Sequence, residues 1–268
     1  MRRAPRQRWT GLRDALHAEW TKLRTTPGGG WLALAAIVLT GGLSAAAAAA
    51  VTYDAGTSQD PAKISLTGID LGQAVIAILA VLTISGEYKT GVIRTTLTAM
   101  PRRTVVLAAK ATVLTAVVLV TGTVAVLASV LAGRLLLPGN GFTAAHGYPS
   151  LSGADGPTLR AAGGSVLYLA LVALLSLGVA TAVRDSATAI GIVLGLLYLF
   201  PIAAAAVTDP DWYRHLQQIG PMSAGLAIQA TTNLRGLPIS PWAGLGVLAA
   251  WAAAALLTGG LLLRLRDA

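Results

Sequence analysis

The lysines, histidines and serines are the residues of this chain with chemistry to offer, and their spacing argues against most of it. A phosphate-cradling loop places a lysine directly after a glycine, and none of the four lysines, Lys22, Lys63, Lys89 and Lys110, follows one. The chain therefore offers no nucleotide site of that kind. His17, His146 and His215 fall in three separate segments, so no metal centre is expected. Ser165 and Ser176 lie in an apolar stretch without histidine or carboxylate at helical spacing. Such serines bond back to their own helix or to a neighbour. Cysteine is absent, which removes thiolate chemistry and disulfides. No catalytic constellation remains, and an enzyme is not expected.

The polar residues that do cluster form one segment, Gly86-Glu87-Tyr88-Lys89-Thr90-Gly91-Val92-Ile93-Arg94-Thr95-Thr96-Leu97-Thr98-Ala99-Met100-Pro101-Arg102-Arg103, with Lys110 shortly after. Val92, Ile93, Leu97 and Met100 recur at helical spacing, while Lys89, Arg94 and Thr98 point elsewhere. Pro101 ends the helix, because it lacks an amide proton and clashes with the preceding turn. A shaped helix between two apolar stretches reads either as a surface offered to a cytoplasmic partner or as a helix resting on lipid. Spacing alone leaves both open.

The elements that position this segment follow from composition. Of 268 residues, 54% are hydrophobic and only 12% charged, with a mean hydropathy of +0.68. This composition marks an all-α integral membrane protein. A bilayer core needs about 20 apolar residues per helix. Six stretches qualify: Gly30 to Val51, Leu71 to Ser85, Ala111 to Gly133, Ala161 to Val183, Ala187 to Ala206 and Trp242 to Leu263. Their cores contain no Asp, Glu, Lys, Arg or His. That argues against a self-powered secondary transporter, which places ionisable groups at membrane depth. Lys110 is expected to snorkel to the inner interface, and Pro201 to kink the fifth span.

With the N-terminus in the cytoplasm, 15 of the 20 Lys and Arg residues fall on the inner side and 5 on the outer. This is the positive-inside pattern, and six spans return the C-terminus to the same side. The predicted location is the cell membrane, multi-pass, with both termini cytoplasmic. The net charge of +9 then serves lipid and orientation, and no nucleic acid partner is expected. Trp31, Trp212 and Trp242 fall near span ends as belt residues.

Residues 1–29 form a separate N-terminal unit ahead of the membrane domain at 30–268. Trp9, Leu12, Leu16, Trp20 and Leu23 make a narrow apolar stripe, with Asp14, Thr21 and Lys22 on the far side. This predicts an interfacial helix ended by Pro27 and Gly28 to Gly30. Leu137 to Arg160 reads as an outer loop without periodicity. Met222 to Ala230, between Pro221 and Thr231, is predicted to dip back into the outer leaflet as a short re-entrant helix.

Two stretches resemble a known family. The pattern Glu87, Gly91, Leu97, Pro101, Arg103 and Lys110 resembles the segment between the second and third spans in permease subunits of bacterial ATP-binding-cassette exporters, the type-two ABC permease family. Ala18-Glu19-Trp20-Thr21-Lys22-Leu23-Arg24-Thr25-Thr26 resembles the N-terminal helix of the same proteins. The resemblance implies an exporter permease whose ATP and magnesium reside on a separate ATP-binding subunit, with no cofactor in this chain. It implies a coupling helix whose ATPase contact draws on Glu87, Gly91, Arg94, Leu97, Pro101 and Arg103, and a connecting helix carrying Glu19, Lys22 and Arg24. It further implies a homodimer, or a heterodimer with a second permease, in which the second and fifth spans line the path. A rival reading is a non-transporting immunity or resistance protein that sequesters a toxic peptide. A neighbouring gene with a nucleotide-binding motif separates the two. The substrate is not written in the spans.

Overall fold

The computed structural model describes residues 6–25, 27–54, 59–93, 96, 102–148 and 156–265, with side chains from residue 11 onward except those of Leu12 and Pro27. Among these residues the structure is helical, without strands. In chain order the helices are α1 (Arg6–Thr25), α2 (Pro27–Ala50), α3 (Pro61–Ser65), α4 (Ile69–Thr90), α5 (Arg103–Leu136) and α6 (Gly156–Val183). They continue with α7 (Ser186–Ala205), α8 (Pro210–Ile219), α9 (Pro221–Leu226) and α10 (Pro241–Leu265). Six of them, α2, α4, α5, α6, α7 and α10, are long and apolar enough to cross a membrane. They coincide with the six expected stretches, but α4 and α5 run past the apolar cores at the end nearest α1. The helical backbone there carries Glu87 and Lys110.

α6 lies at the centre, packed against α4, α5, α7 and α10. Its tightest approach is to α10. A Cβ at Gly178 would sit 2.5 Å from the Ala255–Leu256 backbone, and one at Gly259 would sit 2.6 Å from the Gly178 carbonyl oxygen. Only hydrogen at both positions lets the two backbones meet, which is how helices gain dispersion contacts where lipid offers little apolar drive. In α7 the effect of Pro201 takes the form of a π-helical turn at Gly195–Leu199 just before it. Proline crowds the preceding turn, and a widened turn relieves the clash.

The end of the bundle away from α1 is tied by neutral groups. The Tyr168 hydroxyl donates to Gln73 Oε1 and the Tyr198 hydroxyl to the Asp70 carbonyl, while Gln73 Nε2 donates to that carbonyl at 3.2 Å and to Met222 Sδ at 3.3 Å. One amide thereby links α4, α6 and α9, with Tyr198 of the π turn joining α7 to them. Met222 to Ala230 does hold a helix, α9, followed by a 3₁₀ turn at Ala227–Gln229. Two helices arise outside the sequence expectation, α3 and α8. Each starts with an aspartate cap, Asp60 or Asp209, followed by proline at the first helical position. The 137–160 loop is shorter than expected, because 3₁₀ turns follow α5 and α6 begins at Gly156. Tyr53, Phe142, His146 and Tyr148 stack into a small aromatic cluster over it.

Candidate coupling site at the α1, α4 and α5 junction

The chemistry of this junction starts from a lysine in an apolar helix. Lys110 sits two turns into α5 and is 1% exposed. A buried ammonium requires acceptors for its three protons. Lys110 Nζ donates to Glu19 Oε2 at 2.5 Å, to Glu87 Oε1 at 3.0 Å and to the Thr83 carbonyl at 3.2 Å. A second ammonium completes the set, for Lys22 Nζ donates to Glu87 Oε1 at 2.8 Å, Glu19 Oε1 at 2.9 Å and Thr96 Oγ1 at 3.3 Å. Two cations and two anions thus interlock with no net charge, joining α1, the end of α4 and the start of α5.

This arrangement corrects one expectation. Lys110 does not snorkel; it turns inward because Glu19 and Glu87 both reach it in the protein interior. Lys22, on the side of α1 away from the apolar stripe, is turned toward the buried Ala15 and Glu19 by its partners. Of the apolar stripe, Trp20 is exposed and Leu16 and Leu23 are half-buried, while Trp9 and Leu12 lie outside the described side chains. Burial works against the charge on Lys22, but hydrogen bonds to Glu87 and Glu19 and the charges of both outweigh it, holding its ammonium above the usual 10.5.

The end of α4 is fixed on other sides as well. Ser186 Oγ donates to Ser85 Oγ at 2.9 Å, and the Arg184 guanidinium lies 5.4 Å from the Tyr88 ring centroid. Gly91 caps the helix with φ of 72°, a left-handed conformation that favours glycine, and among the described residues nothing beyond its chain neighbours lies within 4 Å of where a Cβ would stand. Within this chain its reason is conformational. Arg103 Nη1 donates to the Leu263 carbonyl at 2.7 Å, joining the start of α5 to the end of α10. Arg24 is exposed near the end of α1. Arg94, Leu97 and Pro101 lie outside the described residues, as does most of the predicted coupling helix.

Of the residues singled out from sequence, the structure therefore gathers Glu19, Lys22, Glu87 and Lys110, and adds Thr83 and Thr96. The signal for Lys110 was present: a lysine inside a long apolar helix needs carboxylates, and Glu19 and Glu87 are the glutamates of this side. Beside the ion pairs opens a cavity of about 420 Å³, with Leu23, Leu32, Leu79 and Leu82 as apolar wall and Lys22 and Glu87 as polar wall. Among the described residues no three of His, Asp and Glu converge in a way that would hold a metal. The arrangement ties α1, α4 and α5 to one another.

Comparison with curated proteins finds no match. The family model described as ABC-2 family transporter protein matches residues 15–202. That range is well over half of the chain and takes in all four ion-pair residues, Glu19, Lys22, Glu87 and Lys110. With six helices suited to crossing a membrane, the chain is a multi-pass membrane protein that belongs to the ABC-2 transporter family.

Proposed function

We propose that this chain is the permease subunit of an ATP-binding-cassette exporter, moving its substrate outward across the cell membrane with ATP hydrolysed, with magnesium, by a separate subunit. It works as a dimer of permeases with two ATPase chains, with both termini and the 91–102 segment in the cytoplasm, α1 as an interfacial connecting helix and α9 as a re-entrant segment. Closure of the ATPases presses on the segment after α4, and the two-state equilibrium of the spans shifts because the ATPase contacts the two states differently. The observation that carries this reading is the ion-pair core. Glu87 stands just before the contact segment, and through Lys110 and Lys22 any displacement there moves α1, α4 and α5 together.

Glu87→Ala is a poor probe of that contact, because Glu87 is a buried member of the core. Exposed neighbours serve better. Val92 is 40% exposed and Lys89 and Arg24 are exposed as well. Val92→Asp, and separately the Arg24→Glu/Lys89→Glu pair, should weaken co-purification of the ATP-hydrolysing chain by about tenfold or more while leaving membrane insertion unchanged. Gly139→Asp at the opposite end is the control. Undiminished ATPase association and export in both variants would overturn the contact.

A further inference from the structure

A second cavity, of about 320 Å³, lies at the other end of the bundle, between the α3–α4 corner, the α9 segment and the chain leading into α10. The coupling reading makes no use of it, and the inference below stands apart from that reading. Its walls are held from two sides. Asp60 Oδ2 accepts from the Thr231 and Thr232 amides at 2.5 and 3.1 Å, and Arg160 Nη2 donates to the Ala230 carbonyl at 2.6 Å. This fixes the backbone just after Gln229. Gln229 lines the cavity, is 3% exposed, and its side-chain Nε2 has no hydrogen-bond partner among the described residues. A buried amide donor without an acceptor is costly, so its presence in a cavity wall points to something that fills the cavity.

The charges say what. Lys63 and Asp70 both line the cavity, and Lys63 acts electrostatically on Asp70. Yet among the described residues neither forms an ion pair, with the other or with a third residue. The neighbouring carboxylate, Asp60, is already engaged by the capped helix and by Thr231 and Thr232. A simple anion would meet the Asp70 charge, and a simple cation would leave Lys63 and Gln229 Nε2 unanswered. We propose that this cavity binds a zwitterion carrying a primary ammonium and an anionic oxygen group, the chemistry of phosphoethanolamine. The ammonium pairs with Asp70, the anionic oxygens accept from Gln229 and Lys63, and Leu226, Leu237 and Ile239 form the apolar wall. The same group occurs free and as a phospholipid head.

The test titrates phosphoethanolamine into the purified full-length protein in mild detergent, with inorganic phosphate, ethanolamine and phosphocholine as comparisons. A parallel arm records bound lipid by native mass spectrometry after reconstitution in mixed ethanolamine and choline phospholipids. The expected result is saturable binding that prefers the primary amine, weakened about tenfold or more in Asp70→Asn and in Gln229→Met. Asp70→Asn keeps the backbone carbonyl that Tyr198 and Gln73 use, and an unchanged unfolding temperature without ligand verifies its fold. Retention of ethanolamine lipid with no binding of the free compound identifies the source as membrane; binding of the free compound identifies a solute. Absence of saturable binding in both arms, equal binding of inorganic phosphate, or variants that bind like the parent would each overturn the proposal.

Discussion

The two ends of the bundle solve the same problem with different chemistry. Near α1, four ionised groups interlock, with Lys110 1% and Glu19 2% exposed. At the far end an amide, two phenols and a thioether do the tying, with Gln73 and Tyr168 both 0% exposed. Burial of ions is costly unless every charge is paired, and removal of one partner strands the others. A neutral network loses one hydrogen bond at a time. The charged end should therefore behave as one unit, moving together or breaking outright, whereas the neutral end should loosen by steps. That is the division expected if force enters where the ions are and the spans adjust where the hydroxyls are.

Lys110→Met should have the largest effect. It leaves Glu19 and Glu87 facing each other in the interior with only Lys22 between them, and should lower stability by about 3 to 5 kcal/mol. Thermal unfolding in mild detergent measures this. Adding Glu19→Gln to the same protein should recover much of the loss, since Lys22 and Glu87 then remain as a balanced pair. A double variant as unstable as Lys110→Met would show that shape, and not charge, sets the cost. Gln73→Leu at the other end should cost less, about 1 to 3 kcal/mol, because it strands the buried Tyr168 hydroxyl but no ion. Pairing it with Tyr168→Phe removes both partners and should come back toward the parent. If Gln73→Leu proved more harmful than Lys110→Met, the contrast between the two ends would fail.

The same contrast explains what the sequence made legible. All six spans were visible, because twenty-odd apolar residues admit little besides a membrane helix. α4 and α5 ran longer than read because Glu87 and Lys110 look like loop residues until their partners are known. Those partners are 91 residues apart for Lys110 and Glu19 and 65 for Lys22 and Glu87, and helical periodicity reports only on neighbours along one helix. The polar inward face of α1 was hidden for the same reason: the apolar stripe marks one face of the helix, and the residues that meet α4 and α5 are ions from another. α8 escaped notice because its turns are polar, although Asp209 followed by Pro210 is a start signal.

Lys22→Met should have the smallest effect of the three and sharpens the comparison most. Lys22 keeps about a third of its side chain in solvent, 32%, and its loss leaves Glu19 and Glu87 still paired with Lys110. Screening discounts the pair, so about 1 kcal/mol or less is expected. Its pH dependence is the sharper observable. The Lys22 pKa is raised in the folded protein, so its contribution is fully present below the unfolded value of about 10.5 and is lost only as pH rises through the still higher folded value. The stability difference between the parent and Lys22→Met should accordingly stay constant from about pH 6 to 9 and shrink only in strong alkali. A difference that fades within that neutral window would mean that Lys22 does not hold its proton in the cluster, and the four-residue core would then lack the charge balance on which its behaviour as one unit depends.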